Sequence, residues 1–204
     1  WHYEKYANMW RITDDFWDKW DLLLNMFERC ELWQNHVSPG NWPDCDMLPL
    51  GQIGAAFGHE HPTGLTEPEQ ITMMTLWSVF RSPMMLGCEL TKLDDKTLRL
   101  ITNADVMRLL QQSTGASQIM RSKEQAIWIT FDLEDDSTYI AAFNFRDEAS
   151  STVYDASDIT GSAEDVTCLL GEPCRELWTG KAYTSLKEAF ANRIEPHGAM
   201  LLKI

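Results

Sequence analysis

The stretch NMWRITDDFWDKW, residues 8–20, decides how the first half of the chain is read. It sets Trp10 and Arg11 just ahead of the pair Asp14-Asp15, then runs into further aromatic and acidic residues. Residues 6–10 read as a short strand. Thr13 offers an N-cap, and a helix is expected over about 14–34. Phe16, Trp20, Leu23, Phe27 and Cys30 fall at three- and four-residue steps, which makes one buried face. A strand that ends just before a helix brings its last side chains to the carboxyl edge of a parallel sheet, where (β/α) barrels build active sites.

The carboxylates then have two readings. Asp14, Asp15 and Asp18 can complement the dipole of a helix start, or one of them can be half of a catalytic pair. A helix N-terminus holds an Asp pKa down, whereas a general acid needs it up. The catalytic reading therefore requires a second carboxylate nearby, as in retaining glycosidases, whose pair stands about 5 Å apart.

Outward from this stretch, residues 38–51 (SPGNWPDCDMLPLG) are punctuated by Pro and Gly. Residues 44–48 read as a short strand, on which Asp44 and Asp46 share a face. They suit a buried polar network better than a metal, because no further ligands follow at a fitting spacing. His59-Glu60-His61, in a Gly-rich loop, reads as a solvated loop or a contact near the site. Thr66-Glu67-Pro68-Glu69 is a capping box that opens a helix through Ile71, Met74, Trp77 and Phe80. Residues 83–87 form an apolar strand candidate, and 94–112 hold two short helical runs. Alternating strands and helices indicate βα units on a parallel sheet.

Past about residue 115 the pattern becomes all-β. Strands are expected over 126–133, 137–145, 151–154, 166–170, 175–178 and 199–204, with turns at 134–136 and at Gly161-Ser162. The small, polar stretch STGAS, residues 113–117, reads as the linker. The expected domains are therefore 1–115, α/β, and 116–204, an antiparallel β-sandwich.

Composition narrows the function. The 204 residues are 44% hydrophobic and 11% aromatic, enough for a packed core. A net charge of −14 argues against nucleic acid and anionic lipid as partners. No apolar run approaches the roughly 18 residues of a membrane span. The five cysteines form no CxxC pair, and Cys168 and Cys174 could bridge a loop or remain thiols. GxSxG, GxGxxG, P-loop and HExxH motifs are lacking, so no nucleotide, dinucleotide or zinc cofactor is expected. The chain starts at Trp1 without Met and reads as cut from a longer protein, so the sequence assigns no compartment.

Taken in order, several segments resemble glycoside hydrolase family 27, the α-galactosidase and α-N-acetylgalactosaminidase family. They are Asn8-Met9-Trp10-Arg11 with Asp15; Pro39-Gly40-Asn41-Trp42-Pro43-Asp44-Cys45-Asp46-Met47-Leu48; Ser82-Pro83-Met84-Met85-Leu86-Gly87-Cys88-Glu89; Asn103-Ala104-Asp105-Val106; and Pro196-His197-Gly198-Ala199-Met200-Leu201-Leu202. Glu89 stands where the family usually has Asp.

The resemblance implies the C-terminal part of a (β/α)₈ barrel, about strands six to eight, followed by an antiparallel β-sandwich. It implies retaining exo-hydrolysis of terminal α-linked galactose-type sugars, without cofactor or metal. In that reading Asp15 is the acid/base, Arg11 and Met47 contact the sugar, and Trp10, Asp44 and Asp46 support them. The family's Lys-x-Asp nucleophile segment is not in the sequence and is expected before Trp1. The piece alone is then expected to be inactive and to need the rest of its barrel. Other expected partners are galactose-containing oligosaccharides or glycoconjugates and further copies of the chain in a homo-oligomer. α-N-Acetylgalactosaminidase and β-L-arabinopyranosidase activities belong to the same family, and a non-catalytic carbohydrate-binding protein on the same fold is the alternative of another class.

Overall fold

The structure, a computed structural model, describes residues 2–153 and 163–204. The first half runs α1 (His2–Tyr6), β1 (Met9–Arg11), α2 (Trp20–Trp33), β2 (Trp42–Asp44), β3 (Gln52–Ile53), β4 (His61–Pro62), α3 (Glu67–Phe80), α4 (Asp95–Ile101) and α5 (Ala104–Gln112). Strands β1 and β2 pair in parallel, Met9 beside Trp42 and Arg11 beside Asp44, with α2 as the crossover. Leu48 forms a single parallel bridge to Leu86. Residues 83–87, expected as a strand, thus make one bridge rather than a ladder. Pro83 has no N–H to offer, and the bonds that form are Leu48 N–H to Met85 and Gly87 N–H to Leu48.

Helix α3 is the axis of this half. Met73, Met74, Leu76, Trp77, Val79 and Phe80 are all buried, so the helix is enclosed on every side. Its start is the expected capping box: Glu69 N–H donates to Thr66 Oγ1, and Thr66 N–H donates to Glu69 Oε2.

Helix α2 starts at Trp20, not near Asp14, and its N-cap residue Lys19 makes no side-chain cap. Tertiary bonds hold residues 12–19 out of the helix. Phe16 N–H donates to Asp46 Oδ2 at 2.8 Å, and the Phe16 ring is buried 5.0 Å from that of Trp77. Asp18 Oδ2 accepts the Gly64 N–H at 2.5 Å. Asp14, Asp15 and Asp18 are therefore loop residues, and Thr13 caps nothing. At the other end of the same unit, residues expected to be strand from Tyr6 divide into helix α1 and strand β1.

The second half continues through β5 (Ser113–Arg121), β6 (Gln125–Asp132), β7 (Ser137–Asn144), β8 (Ser150–Ser151), α6 (Ala163–Leu169), β9 (Cys174–Glu176), β10 (Ala182–Tyr183), α7 (Leu186–Ala191), β11 (Arg193–Ile194) and β12 (Ala199–Lys203). Six strands form one antiparallel sheet in the order β10-β9-β12-β7-β6-β5, and β8 pairs with β11 in a second, small sheet. Alternate side chains of the large sheet enter two different cores. Trp128, Tyr139, Ala141, Phe143 and Leu201 pack with α2, α3 and α5. Ile127, Ile129, Ile140, Ala142, Met200 and Leu202 pack with Val166, Leu186, Phe190 and Ile194 on the other side.

Two expectations for this half are corrected. The stretch 113–117 is the start of β5, which follows α5 directly. Residues 166–169 belong to α6, with Leu170 in the turn after it: Val166, Leu169 and Leu170 meet the second core at helical spacing, and so short a run fits either period. Of the two readings open for Cys168 and Cys174, the structure has thiols, and burial pushes the Cys174 thiol up to about 11. The turn at Gly161-Ser162 and the end of the 151–154 strand lie outside the described residues.

His197 fastens the two halves. It sits at φ +57° and stacks on Trp20 with ring centres 4.0 Å apart. Its Nδ1 lies 2.7 Å from Glu69 Oε1 and its Nε2 2.9 Å from Asp147 Oδ1, while its carbonyl accepts the Thr72 hydroxyl. Replacing His197 by Ala takes the partner of Glu69 Oε1 from a buried carboxylate and removes the stack. Urea unfolding of His197→Ala is expected to show a loss of about 3 kcal/mol; an unchanged midpoint would contradict the latch.

Candidate active site

The parallel register of β1 and β2 puts Arg11 and Asp44 side by side at the ends of their strands, and the ladder closes with Ile12 N–H donating to the Asp44 carbonyl at 3.0 Å. Past Asp44 the chain turns: Asp46 adopts φ +78°. The expected strand over 44–48 therefore stops at Asp44, and the two carboxylates do not share a strand face. Instead Asp44 Oδ1 accepts the Asp46 N–H at 2.9 Å, and Asp46 Oδ1 accepts the Met47 N–H at 2.8 Å.

Arg11 collects the carboxylates. Its Nη2 lies 2.8 Å from Asp46 Oδ2 and 3.6 Å from Asp15 Oδ1, and it also donates to the Asp14 carbonyl at 2.7 Å. The two acidic partners differ in their surroundings. The Asp46 side chain is 9% exposed and that of Asp15 is 80% exposed. Asp46 is thus fixed in the wall, while Asp15 faces outward from a loop with one edge against the guanidinium. Asp14 contributes its backbone, which separates its role from that of Asp15.

Met47 is half-buried beside Gly87. A Cβ at position 87 would stand 2.6 Å from Met47 Sδ, so the methionine occupies its place only because residue 87 has no side chain. Trp10 points away from the carboxylates, as strand alternation requires. It is buried between Trp33 and Tyr3, and its ring nitrogen finds no acceptor among the described residues. Glu89 caps the short turn Leu90–Lys92, accepting from both the N–H and the hydroxyl of Thr91, which hold its carboxyl below the usual range. In the loop 59–61, His61 Nδ1 is 2.6 Å from the His59 carbonyl and Glu60 pairs with Lys92. Among the described residues no three metal-ligating side chains lie together.

Sequence reasoning did not single out Trp17 and Phe57. They meet edge to face at 5.9 Å and flank a hollow of about 350 Å³ next to Met47. The signal available was slight: one aromatic two positions past Asp15 and another in a turn between Gly54 and Gly58. A larger cavity, about 730 Å³, lies away from the carboxylates, where α3 and α4 meet Trp178. Several of its polar groups serve the fold: Asp94 caps α4, Asn103 caps α5, and Glu67 pairs with Lys96.

The family described as alpha galactosidase A matches residues 2–112, and the alpha galactosidase C-terminal beta sandwich domain matches residues 122–204. The chain belongs to this family, glycoside hydrolase family 27, and carries the C-terminal part of its fold. It is 28% identical to alpha-galactosidase D of Emericella nidulans over 202 residues, covering 97% of this chain and 28% of that protein. Among solved structures it is similar to a GH27 β-L-arabinopyranosidase from Geobacillus stearothermophilus, with TM-score 0.84 and 38% identity over 98% of this chain and 45% of the other. It is also similar to a putative α-N-acetylgalactosaminidase from Bacillus halodurans, with TM-score 0.77 and 34% identity over 94% of this chain and 46% of the other. The chain thus spans less than half the length of each of these relatives.

Asp44 gives a test of the wall's electrostatics. Burial raises its carboxyl above the usual range, against the lowering by the Asp46 N–H and Arg11, and the Asp46 charge adds to the rise. A folded pKa above the unfolded one means that the native state binds the proton more tightly, so ionised Asp44 costs stability once pH has risen through the folded pKa. Asp44→Asn is expected to raise the melting temperature at neutral pH, with the gain shrinking toward about pH 4. A thermal unfolding series across that range checks this; a pH-independent difference would refute it.

Proposed function

We propose that the full-length protein is a retaining exo-glycosidase acting on terminal α-linked galactose-type sugars, with the residues up to the end of α5 completing its barrel and those from the start of β5 forming its sandwich domain. The observation that carries the reading is the contrast within one cluster: Arg11 binds a buried carboxylate, Asp46, and an exposed one, Asp15, at the end of parallel strands. Asp46 is engaged three times over and serves to aim Arg11. Asp15 keeps an open face toward a substrate, and it is the acid/base. It gives its proton to the leaving oxygen and then takes one from the attacking water. Arg11 holds sugar hydroxyls through its planar fork, and Met47 forms the wall beneath the ring. Asp44 and Trp10 support β1 and β2 from behind. The second carboxylate, the nucleophile, comes from outside these 204 residues.

The sugar is a galactoside or its close relative without the hydroxymethyl group at C5. The similarity to a β-L-arabinopyranosidase at 38% identity favours keeping both. N-Acetylgalactosaminides, which differ at C2, come third, on the likeness to the Bacillus halodurans protein.

Hydrolysis by the full-length protein tests the reading. Asp15→Ala is expected to lower kcat/KM on a galactose-containing disaccharide by roughly 10²- to 10⁴-fold. An activated aryl galactoside should suffer less, because its leaving group needs no proton. Equal hydrolysis of the disaccharide by both forms would remove Asp15 from the mechanism. Comparing aryl α-galactoside with aryl β-L-arabinopyranoside assigns the sugar. Residues 1–204 expressed alone are expected to be inactive, and robust turnover by them would contradict an external nucleophile.

A further inference from the structure

We infer that Trp17 and Phe57, with Met47 below them, form the site for the leaving group, and that this site takes a flat, apolar aglycone rather than a second sugar. The inference rests on the glycosidase reading above and goes beyond it to the other half of the substrate.

Phe57 closes the short turn Ala55–Phe57 and is 66% exposed. The turn is a built feature. Gly54 and Gly58 flank it at φ +79° and +73°, and the Gly54 carbonyl accepts from the N–H groups of Phe57 and His59. A Cβ on Gly54 would lie 2.4 Å from the His59 carbonyl oxygen, so the bend excludes any other residue there. The turn thereby holds a large apolar ring out toward solvent, where its edge-to-face partner is Trp17.

The hollow they flank is joined to the carboxylate cluster through two segments of chain. Trp17 follows Asp15 by two positions, and Met47 follows Asp46 directly. This chain continuity is the ground for placing in the hollow the group that leaves a sugar seated at Arg11 and Asp15. The remaining walls come from Ile53, Ala55, Ala56, Gly87 and Cys88. Glu89 is the one ionised side chain lining the hollow among the described residues, and Thr91 already engages its carboxylate with two hydrogen bonds. A sugar would bring several hydroxyls into a wall with few partners for them. An aryl group would instead lie along the apolar surface that Trp17 and Phe57 form together, with Met47 beside it.

The test uses the full-length protein and two non-hydrolysed probes, methyl and phenyl 1-thio-α-D-galactopyranoside, with the matching 1-thio-β-L-arabinopyranosides run in parallel. In the wild type the phenyl compound is expected to bind about ten-fold more tightly than the methyl compound, equivalent to about 1.4 kcal/mol. In Phe57→Ala, and separately in Trp17→Ala, that ratio is expected to fall to about two or less. Equal inhibition constants in the wild type overturn the inference, as does a wild-type ratio that survives both substitutions. If the ratio is unchanged but Phe57→Ala lowers the mass by light scattering, Phe57 belongs to a contact between copies of the chain, and the inference is again overturned. Failure of all four thioglycosides to bind would count against the glycosidase reading itself. Binding of the methyl compounds without a phenyl preference counts against this inference alone.

Discussion

The carboxylate of Asp46 is the constraint on which the rest of the first half depends. Its Oδ2 receives the Phe16 N–H and the Arg11 guanidinium, its Oδ1 receives the Met47 N–H, and its backbone carbonyl receives the Trp77 indole. Two segments distant in sequence, residues 11–16 and helix α3 at Trp77, are therefore tied to one buried residue. A buried charge is tolerable only when its lone pairs are satisfied, and here they are. The same bonds keep residues 12–19 from joining α2. The loop that presents Asp15 thus exists because Asp46 competes for its backbone.

This arrangement separates two jobs that one sequence motif presents together. Arg11 could be neutralised entirely by a single close carboxylate. Instead the near partner at 2.8 Å is enclosed, and the farther one at 3.6 Å is open. The enclosed acid fixes where the guanidinium points, and the open acid is left with room for a ligand. Gly87 acts similarly on the other side, since its missing side chain is what lets Met47 stand where it does.

Much of this was legible in the sequence where the signal is local. Thr66 and Glu69 satisfy each other within three residues, so the start of α3 could be read directly. Strands β6 and β7 were legible from their composition and alternation. Arg11, Asp15, Asp46 and Met47 could be grouped because several ordered motifs agreed with one family. What the sequence did not reveal was decided at a distance. The start of α2 depends on Asp46, thirty residues after Phe16. Asp44 and Asp46 looked like neighbours on a strand face because nothing in DCDML announces a positive φ. Val166 and its neighbours satisfy helix and strand patterns alike. The pairing of Trp17 with Phe57 needs two loops to meet, and no periodicity encodes that.

The large antiparallel sheet has one further consequence. Its two faces are apolar for different reasons, one covered by α6, α7 and the small sheet, the other by α2, α3 and α5. The sheet is thus a party wall. A boundary drawn through the chain near residue 115 separates the two halves on paper, yet Trp128, Tyr139 and Phe143 lie on one side of that boundary in sequence and pack with the other side in space. The second half is therefore poorly suited to travel as an independent module: recombined with a different barrel, it would carry a surface shaped to fit only the helices it left behind.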